Sequence, residues 1–492
     1  MMILRKRLVS FSKSGYYKIG SRDTCIVCFE RMVNMSLPEN FYWGGSASSF
    51  QAEGAWDEGG KGLSIYDIRP TNPLFSDWKV GIDFYHRYKE DIALLKQMGC
   101  NFYRFSICWA RVIPNGDDEP NEEGLQFYDN VINELIANGI TPMICMYHFD
   151  TPYHLEKDYN GFASRYVVDC FERYARLIMT RYGDRVKHWM TFNEQNLHSM
   201  MLRVSNAERV PEGVDPVKFL YQVNHHVFLA HCKAVKVLRE VVPDAKICGM
   251  IAATPYYPAT CAPEDVNFAI RCNDYLNHFH EDVFATGKYP AYMVKYLTKH
   301  GWMPEFEEGD EEILSNTVDY LAFSYYQSAT VKAQDFDQQK APAEVAGMGH
   351  VDNPYVQCNE WGWAKDAVGF RSLLHELYYR HGKPVFVLEN GVGCREELPE
   401  DGSLIQDDER IEYHRNHIIE MKKAIEEDGV DCLGYITWGP IDILSSKAEM
   451  AKRYGFVFVN RTEKDLRDLR RVPKKSFYWI QKVFGSNGEV LD

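Results

Sequence analysis

Eight short apolar runs alternate with amphipathic stretches along this 492-residue chain, and that alternation restricts the fold more than any single residue does. The runs lie at 41–46, 102–107, 140–147, 187–193, 246–252, 318–326, 383–389 and 432–438. Helix-patterned segments at 85–97, 124–138, 165–182, 216–242 and 409–427 separate them. Strands that alternate with helices must pair in parallel, each joined to the next by a crossover helix. Eight of them predict an α/β chain closed into a single-domain (β/α)8 TIM barrel. An open doubly wound sheet is the alternative, but no G-x-G-x-x-G follows a strand and no phosphate-cradling P-loop is present. The polar segment 330–365 reads as a long loop between the sixth and seventh strands, of the kind that shapes a binding site.

Composition removes several function classes. The formal charge of -15 argues against nucleic acid or an anionic membrane as main partner. No run of 18 apolar residues marks a membrane span. The 13 cysteines are scattered and odd in number, as expected of reduced thiols in a cytoplasmic protein. Cys25 and Cys28 form a lone C-x-x-C pair without a second pair or clustered histidines, so no metal or redox role is assigned to it. The first 34 residues stand apart, with seven basic residues against two acids. They lack a secretory apolar core and a cleavage site. The preferred reading is an extension outside the native start, with the barrel domain running from Met35 to 492. The extension is expected to be dispensable.

Two of the apolar runs end on a carboxylate. Pro384-Val385-Phe386-Val387-Leu388 leads into Glu389, and Trp189-Met190-Thr191-Phe192-Asn193 leads into Glu194. Catalytic groups of such barrels sit at the C-terminal tips of strands. A pair of carboxyl groups flanking one bond is what glycoside hydrolysis requires: one protonates the leaving oxygen, the other attacks the anomeric carbon or activates water. Arg104, which follows Tyr103 in the second run, is expected beside Glu389, where a cation keeps a nucleophile ionised. Tyr325 is the candidate hydrogen-bond donor to Glu389. Asn193 is placed to bind a sugar hydroxyl. A structural ion pair is the plain alternative for Arg104. His225, His226 and His231 fall in one helical segment without a completing carboxylate or thiolate, so ordinary packing is expected of them.

These residues resemble glycoside hydrolase family 1 over about 36–485. Thr191-Phe192-Asn193-Glu194 looks like its acid/base motif, and Leu388-Glu389-Asn390-Gly391 like its nucleophile motif. Residues 41–47, 51–54, 103–107, 147–152 and 452–456 match further motifs in the same order. The resemblance implies a (β/α)8 barrel and a retaining mechanism without a cofactor or metal. It makes Glu194 the acid/base and Glu389 the nucleophile, and it implies that Gln51, His148, Asn193 and Trp438 grip the sugar. Each of those four also has a bland role open to it, as a helix cap, a satisfied core histidine or core packing.

The segment after the eighth run narrows the expectation. Members acting on neutral glucosides usually carry Glu where this chain has Ser445, and that acid would repel a 6-phosphate of about -1.5 to -2 charges. Ser445, Lys452 and Tyr454 look like the phosphate-binding set of the 6-phospho-β-glycosidases. Ser446 stands where 6-phospho-β-galactosidases typically have Trp, which favours glucose. Ser324, in place of a common Asn, also resembles the phospho branch. Gln195, Phe149 and Ala367 depart from frequent residues without removing a catalytic group. The expected activity is a 6-phospho-β-glucosidase acting on a phosphorylated disaccharide or aryl β-glucoside. The rivals are 6-phospho-β-galactosidase, plain β-glucosidase and a silent sugar-phosphate binder.

Overall fold

The computed structural model describes residues 37–70, 72–198, 209–333 and 350–492. The expected extension at 1–34 and the Cys25/Cys28 pair lie outside the described residues. Eight parallel strands close into a barrel: β1 (Tyr42–Ala47), β2 (Phe102–Ser106), β3 (Thr141–Tyr147), β4 (His188–Phe192), β5 (Lys246–Ala253), β6 (Tyr320–Tyr325), β7 (Val385–Asn390) and β8 (Cys432–Trp438). Each of the eight apolar runs supplies one of them. Neighbours in sequence are neighbours in the barrel, and β8 pairs back onto β1 with Ser46 opposite Trp438. Short strand pairs at 256–258 with 329–331, and at 457–459 with 471–473, lie outside the barrel.

Strand alternation sorts the side chains. Phe102, Met143, Met190, Met250, Tyr320, Ala322, Phe386 and Leu388 fill the barrel interior. Residues one step away, such as Leu321, Phe323, Tyr325, Val385 and Val387, pack outward against the helices. The barrel is therefore a solid plug, and any site must sit on its rim. At β1 the backbones approach so closely that a Cβ on Gly44 would meet the Phe102 carbonyl oxygen at 1.8 Å. Glycine is required there to close the barrel.

The helices are as the periodicity predicts, with ends moved by a residue or two: Phe84–Gln97, Glu122–Ala137, Arg165–Tyr182, Pro216–Val241 and Asp408–Glu426. Asp215 caps the fourth by accepting from Val217 and Lys218 N–H, with Pro216 in the first turn. His225 meets Asp310 (3.0 Å), His226 meets the Phe162 carbonyl (2.8 Å) and His231 meets Thr191 (2.6 Å). No helix among the described residues is long and apolar enough to cross a membrane.

Candidate active site

A cavity of about 610 Å³ opens at the C-terminal rim, lined by Gln51, His148, Asn193, Glu194, Ser324, Tyr326, Glu389, Trp438, Ser445 and Tyr454 among others. The loop after β6 contributes His350, Asn353, Val356 and Trp363 to its wall, as expected of the polar 330–365 segment.

Two local distortions aim the carboxylates. Glu194 follows β4 in a left-handed conformation, φ +41°, which side-chain-bearing residues rarely adopt. Glu389 sits where β7 breaks register with both of its neighbours: Ser324 follows Phe323 while Glu389 follows Val387 by two. Leu388 before it points into the plug, and the irregularity turns the next side chain inward as well. Bulges of this kind re-aim a side chain beside active sites.

The two carboxyl groups have different company. Arg104, fully buried on β2, pairs with Glu389 Oε1 through Nη2 and donates to Asn193 Oδ1 through Nη1 at 2.9 Å. Tyr326 donates to Glu389 Oε2 at 2.7 Å. Burial pushes the Glu389 carboxyl up, while the Arg104 charge and the Tyr326 hydroxyl oppose that rise. Glu194 forms no ion pair among the described residues, and the Arg104 charge is the least of the influences on it. Burial first, then the charge of Glu389, push it up to about 8, against the Ser324 hydroxyl that donates to its Oε1. One proton shared over this pair therefore rests on Glu194 and leaves the charge on Glu389.

The structure corrects one assignment. Tyr325 is not the donor to Glu389; its hydroxyl donates to the Asp366 carbonyl at 2.6 Å, on the outer side of the barrel against Phe370. Residues 324 and 326 share the inward face and 325 the outward one, so the donor is Tyr326. The two-residue period from Ser324 was the signal that could have found it.

The remaining predicted residues fall around the same space. Gln51 donates to the Leu444 carbonyl (2.6 Å) and accepts from Ser48 (2.6 Å), which fixes its amide at the cavity wall. His148 stacks on Trp438 with ring centres 5.7 Å apart. Burial and then the nearby Arg104 charge hold His148 well below its ordinary range, so it stands neutral. Ser445 and Tyr454 line the cavity. The Ser445 hydroxyl oxygen accepts from the backbone N–H of Glu449 (3.0 Å) and of Lys447 (3.2 Å), which leaves its proton free to donate. Lys452 lies just behind this wall, its Nζ 3.4 Å from the centre of the Trp363 ring. The sequence reading did not single out Trp361 and Trp363, which flank Gly362 in an otherwise polar loop.

The family model for glycosyl hydrolase family 1 matches residues 33–489. The chain is similar to an aryl-phospho-β-D-glucosidase of Bacillus subtilis, 46% identical over 92% of this chain and 98% of that one. It is 44% identical to a 6-phospho-β-glucosidase of Clostridium longisporum over 93% and 99% of the two chains. It is 41% identical to a phospho-cellobiase of Klebsiella oxytoca over 93% and 99%. Among solved structures, a family 1 β-glucosidase from Thermotoga maritima superposes with a TM-score of 0.82 at 30% identity, covering 93% of this chain and 99% of that one.

Proposed function

The chain belongs to glycosyl hydrolase family 1, and we propose that within it this protein is a retaining 6-phospho-β-glucosidase. Glu389, held ionised by Arg104 and Tyr326, attacks the anomeric carbon and forms a covalent glycosyl-enzyme. Glu194, protonated at neutral pH, gives its proton to the departing oxygen. It then takes a proton from water, which cleaves the ester and releases glucose 6-phosphate with its β configuration retained. The Asn193 amide, its oxygen occupied by Arg104, presents N–H to a ring hydroxyl. Gln51, His148 and Trp438 hold the rest of the sugar.

The observation that carries the phosphate reading is at the cavity end. Ser445 offers a hydroxyl where a carboxylate would repel an anion, and the buried Lys452, against the Trp363 ring, forms no ion pair among the described residues. The phosphate draws Lys452 from the indole and takes hydroxyl donors from Ser445 and Tyr454. The small, exposed Ser446 leaves the space next to it open. Leu197, Tyr256, Leu276 and Val356 are among the apolar residues of the cavity wall, and side chains of this kind suit an aryl group or the face of a second sugar. The proposed substrates are accordingly aryl β-glucoside 6-phosphates and phosphorylated β-linked disaccharides. Uptake-coupled phosphorylation would deliver them to a reducing cytoplasm, in keeping with the 11 free cysteines of the described residues.

Replacing Ser445 by Glu tests this reading. Ser445→Glu should depress hydrolysis of a nitrophenyl β-glucoside 6-phosphate and raise that of the neutral glucoside. Equal loss on both would count against it.

A further inference from the structure

Asn196 sits in the tight turn that Glu194 opens, two residues past that carboxyl group. Its side chain is engaged entirely with backbone. Oδ1 accepts from the Ala252 N–H at 2.8 Å, and Nδ2 donates to the Ala252 carbonyl and to the Leu276 carbonyl, each at 2.9 Å. A carboxamide has two donor hydrogens and both are used here, so Asn196 borders the cavity without a proton to offer a sugar.

The turn lies where ordinary strand pairing stops. β4 pairs with β5 from His188 opposite Lys246 to Met190 opposite Cys248. β5 continues to Ala253, and along its other edge Ala252 stands in register with Ser324 of β6. On the β4 edge the Asn196 carboxamide takes the place of a strand partner at residue 252. Two more asparagines repeat the clip at alternate residues, which present their N–H and carbonyl groups to the same edge. Asn277 accepts from the Thr254 N–H (3.2 Å) and donates to the Thr254 carbonyl (2.8 Å). Asn273 does the same for Tyr256, with both bonds at 3.1 Å. Asn277 Nδ2 also donates to Asn273 Oδ1 at 3.1 Å, and Leu276 and Asn277 belong to a single π-helical turn, Asp274–His278.

The acid/base is thereby referred to one residue of β5 from both of its ends. Its backbone turn is tied to Ala252 through Asn196, and its carboxyl group accepts from Ser324, the residue paired with Ala252. Glu194 stands at φ +41°, a conformation that persists only where the surroundings over-determine it. The bond to the Leu276 carbonyl joins the same turn to the cavity wall, to which Thr254, Tyr256, Leu276 and Asn277 contribute. We propose that Asn196 is a positioning residue for acid catalysis, holding the Glu194 carboxyl at the leaving oxygen by clipping its turn to Ala252 and Leu276. The proposal rests on the acid role given to Glu194 above.

The test compares kcat/KM for a phenyl and a nitrophenyl β-glucoside on the full chain. Both carry the same sugar, phosphorylated or neutral, whichever is hydrolysed faster, so failure of the phosphate reading leaves the comparison standing. kcat/KM reports the first step, in which nitrophenolate departs with little help and phenol needs the proton. Asn196→Ala should lose about 10–100-fold more on the phenyl than on the nitrophenyl substrate, the scale of a misplaced catalytic group. That selective loss should not exceed the one Glu194→Gln shows. Asn196→Ser, with a shorter reach and a single donor, should fall between Asn196→Ala and the wild type, and it carries the comparison if Asn196→Ala does not fold. Asn273→Ala removes the clip at Tyr256, at the far end of the row. It should lower the thermal midpoint and leave the phenyl-to-nitrophenyl ratio within about twofold. Equal loss on both substrates in the Asn196 variants, or an equal shift of the ratio in Asn273→Ala, would make the clip a fold element alone and overturn the proposal. If Glu194→Gln itself loses equally on both substrates, the acid assignment falls and this inference falls with it.

Discussion

Ser324 donates its hydroxyl to Glu194 from a position in register with Glu389. One small side chain thus ties β6, the strand paired beside the nucleophile's, to the acid/base. Its hydrogen bond pulls the Glu194 carboxyl down, against the burial that pushes it up. Ser324→Ala should therefore move the basic limb of the kcat–pH profile upward, by roughly half a unit to one unit for a bond worth about 1 kcal/mol. A downward move would mean that the serine stabilises the protonated form.

Glu389→Gln should abolish turnover of every substrate, because no covalent ester can form. Glu194→Gln should act selectively. Leaving groups that need a proton should lose on the order of 10²–10⁴-fold, while nitrophenolate, a good leaving group, should lose far less in the first step. Comparing burst and steady-state rates for the two leaving groups checks this. Equal loss on both would remove Glu194 from the acid role.

Adjacent tyrosines should behave oppositely. Tyr326→Phe removes a donor to a buried carboxylate and should lower kcat/KM by about 10–150-fold, the range for a hydrogen bond to a charged group. Tyr325→Phe removes a bond to the Asp366 carbonyl outside the site, so it should lower the thermal midpoint and leave kcat within about twofold. The reverse pattern would return the nucleophile's donor to Tyr325.

Much of this site was legible because barrel chemistry sits at strand ends: Glu194 and Glu389 are each read from the tip of an apolar run, and Arg104 from within one. What escaped depends on phase and on distant contacts. The Tyr325/Tyr326 choice turns on which face of β6 continues past its end. The inward turn of Glu389 comes from a register break that no local pattern announces. Trp361 and Trp363 acquire meaning only when the hairpin folds against a lysine about ninety residues further along the chain.

Acid should unfold the protein early. Burial holds His188, His225, His381 and His417 down to about 4, and His198, His231 and His280 to about 3. Unfolded, each takes its proton near 6.5, so the unfolded state binds more protons below that pH and stability falls with it. Glu156 and Glu194, raised to about 8, oppose part of this, since they release protons on unfolding. The net expectation is uptake of several protons on unfolding at about pH 5. The thermal midpoint should drop steadily from about pH 6.5 to about pH 4. A midpoint level over that window would contradict the neutral, buried state of these histidines.

The most direct test of the account needs no variant. At neutral pH, kcat/KM should be measured for a nitrophenyl β-glucoside with and without its 6-phosphate. The phosphorylated substrate should be preferred by about 10–150-fold or more, the worth of one charge-assisted contact, expressed mainly in KM. Hydrolysis of the neutral glucoside at an equal or higher kcat/KM would contradict it and make the protein a plain β-glucosidase.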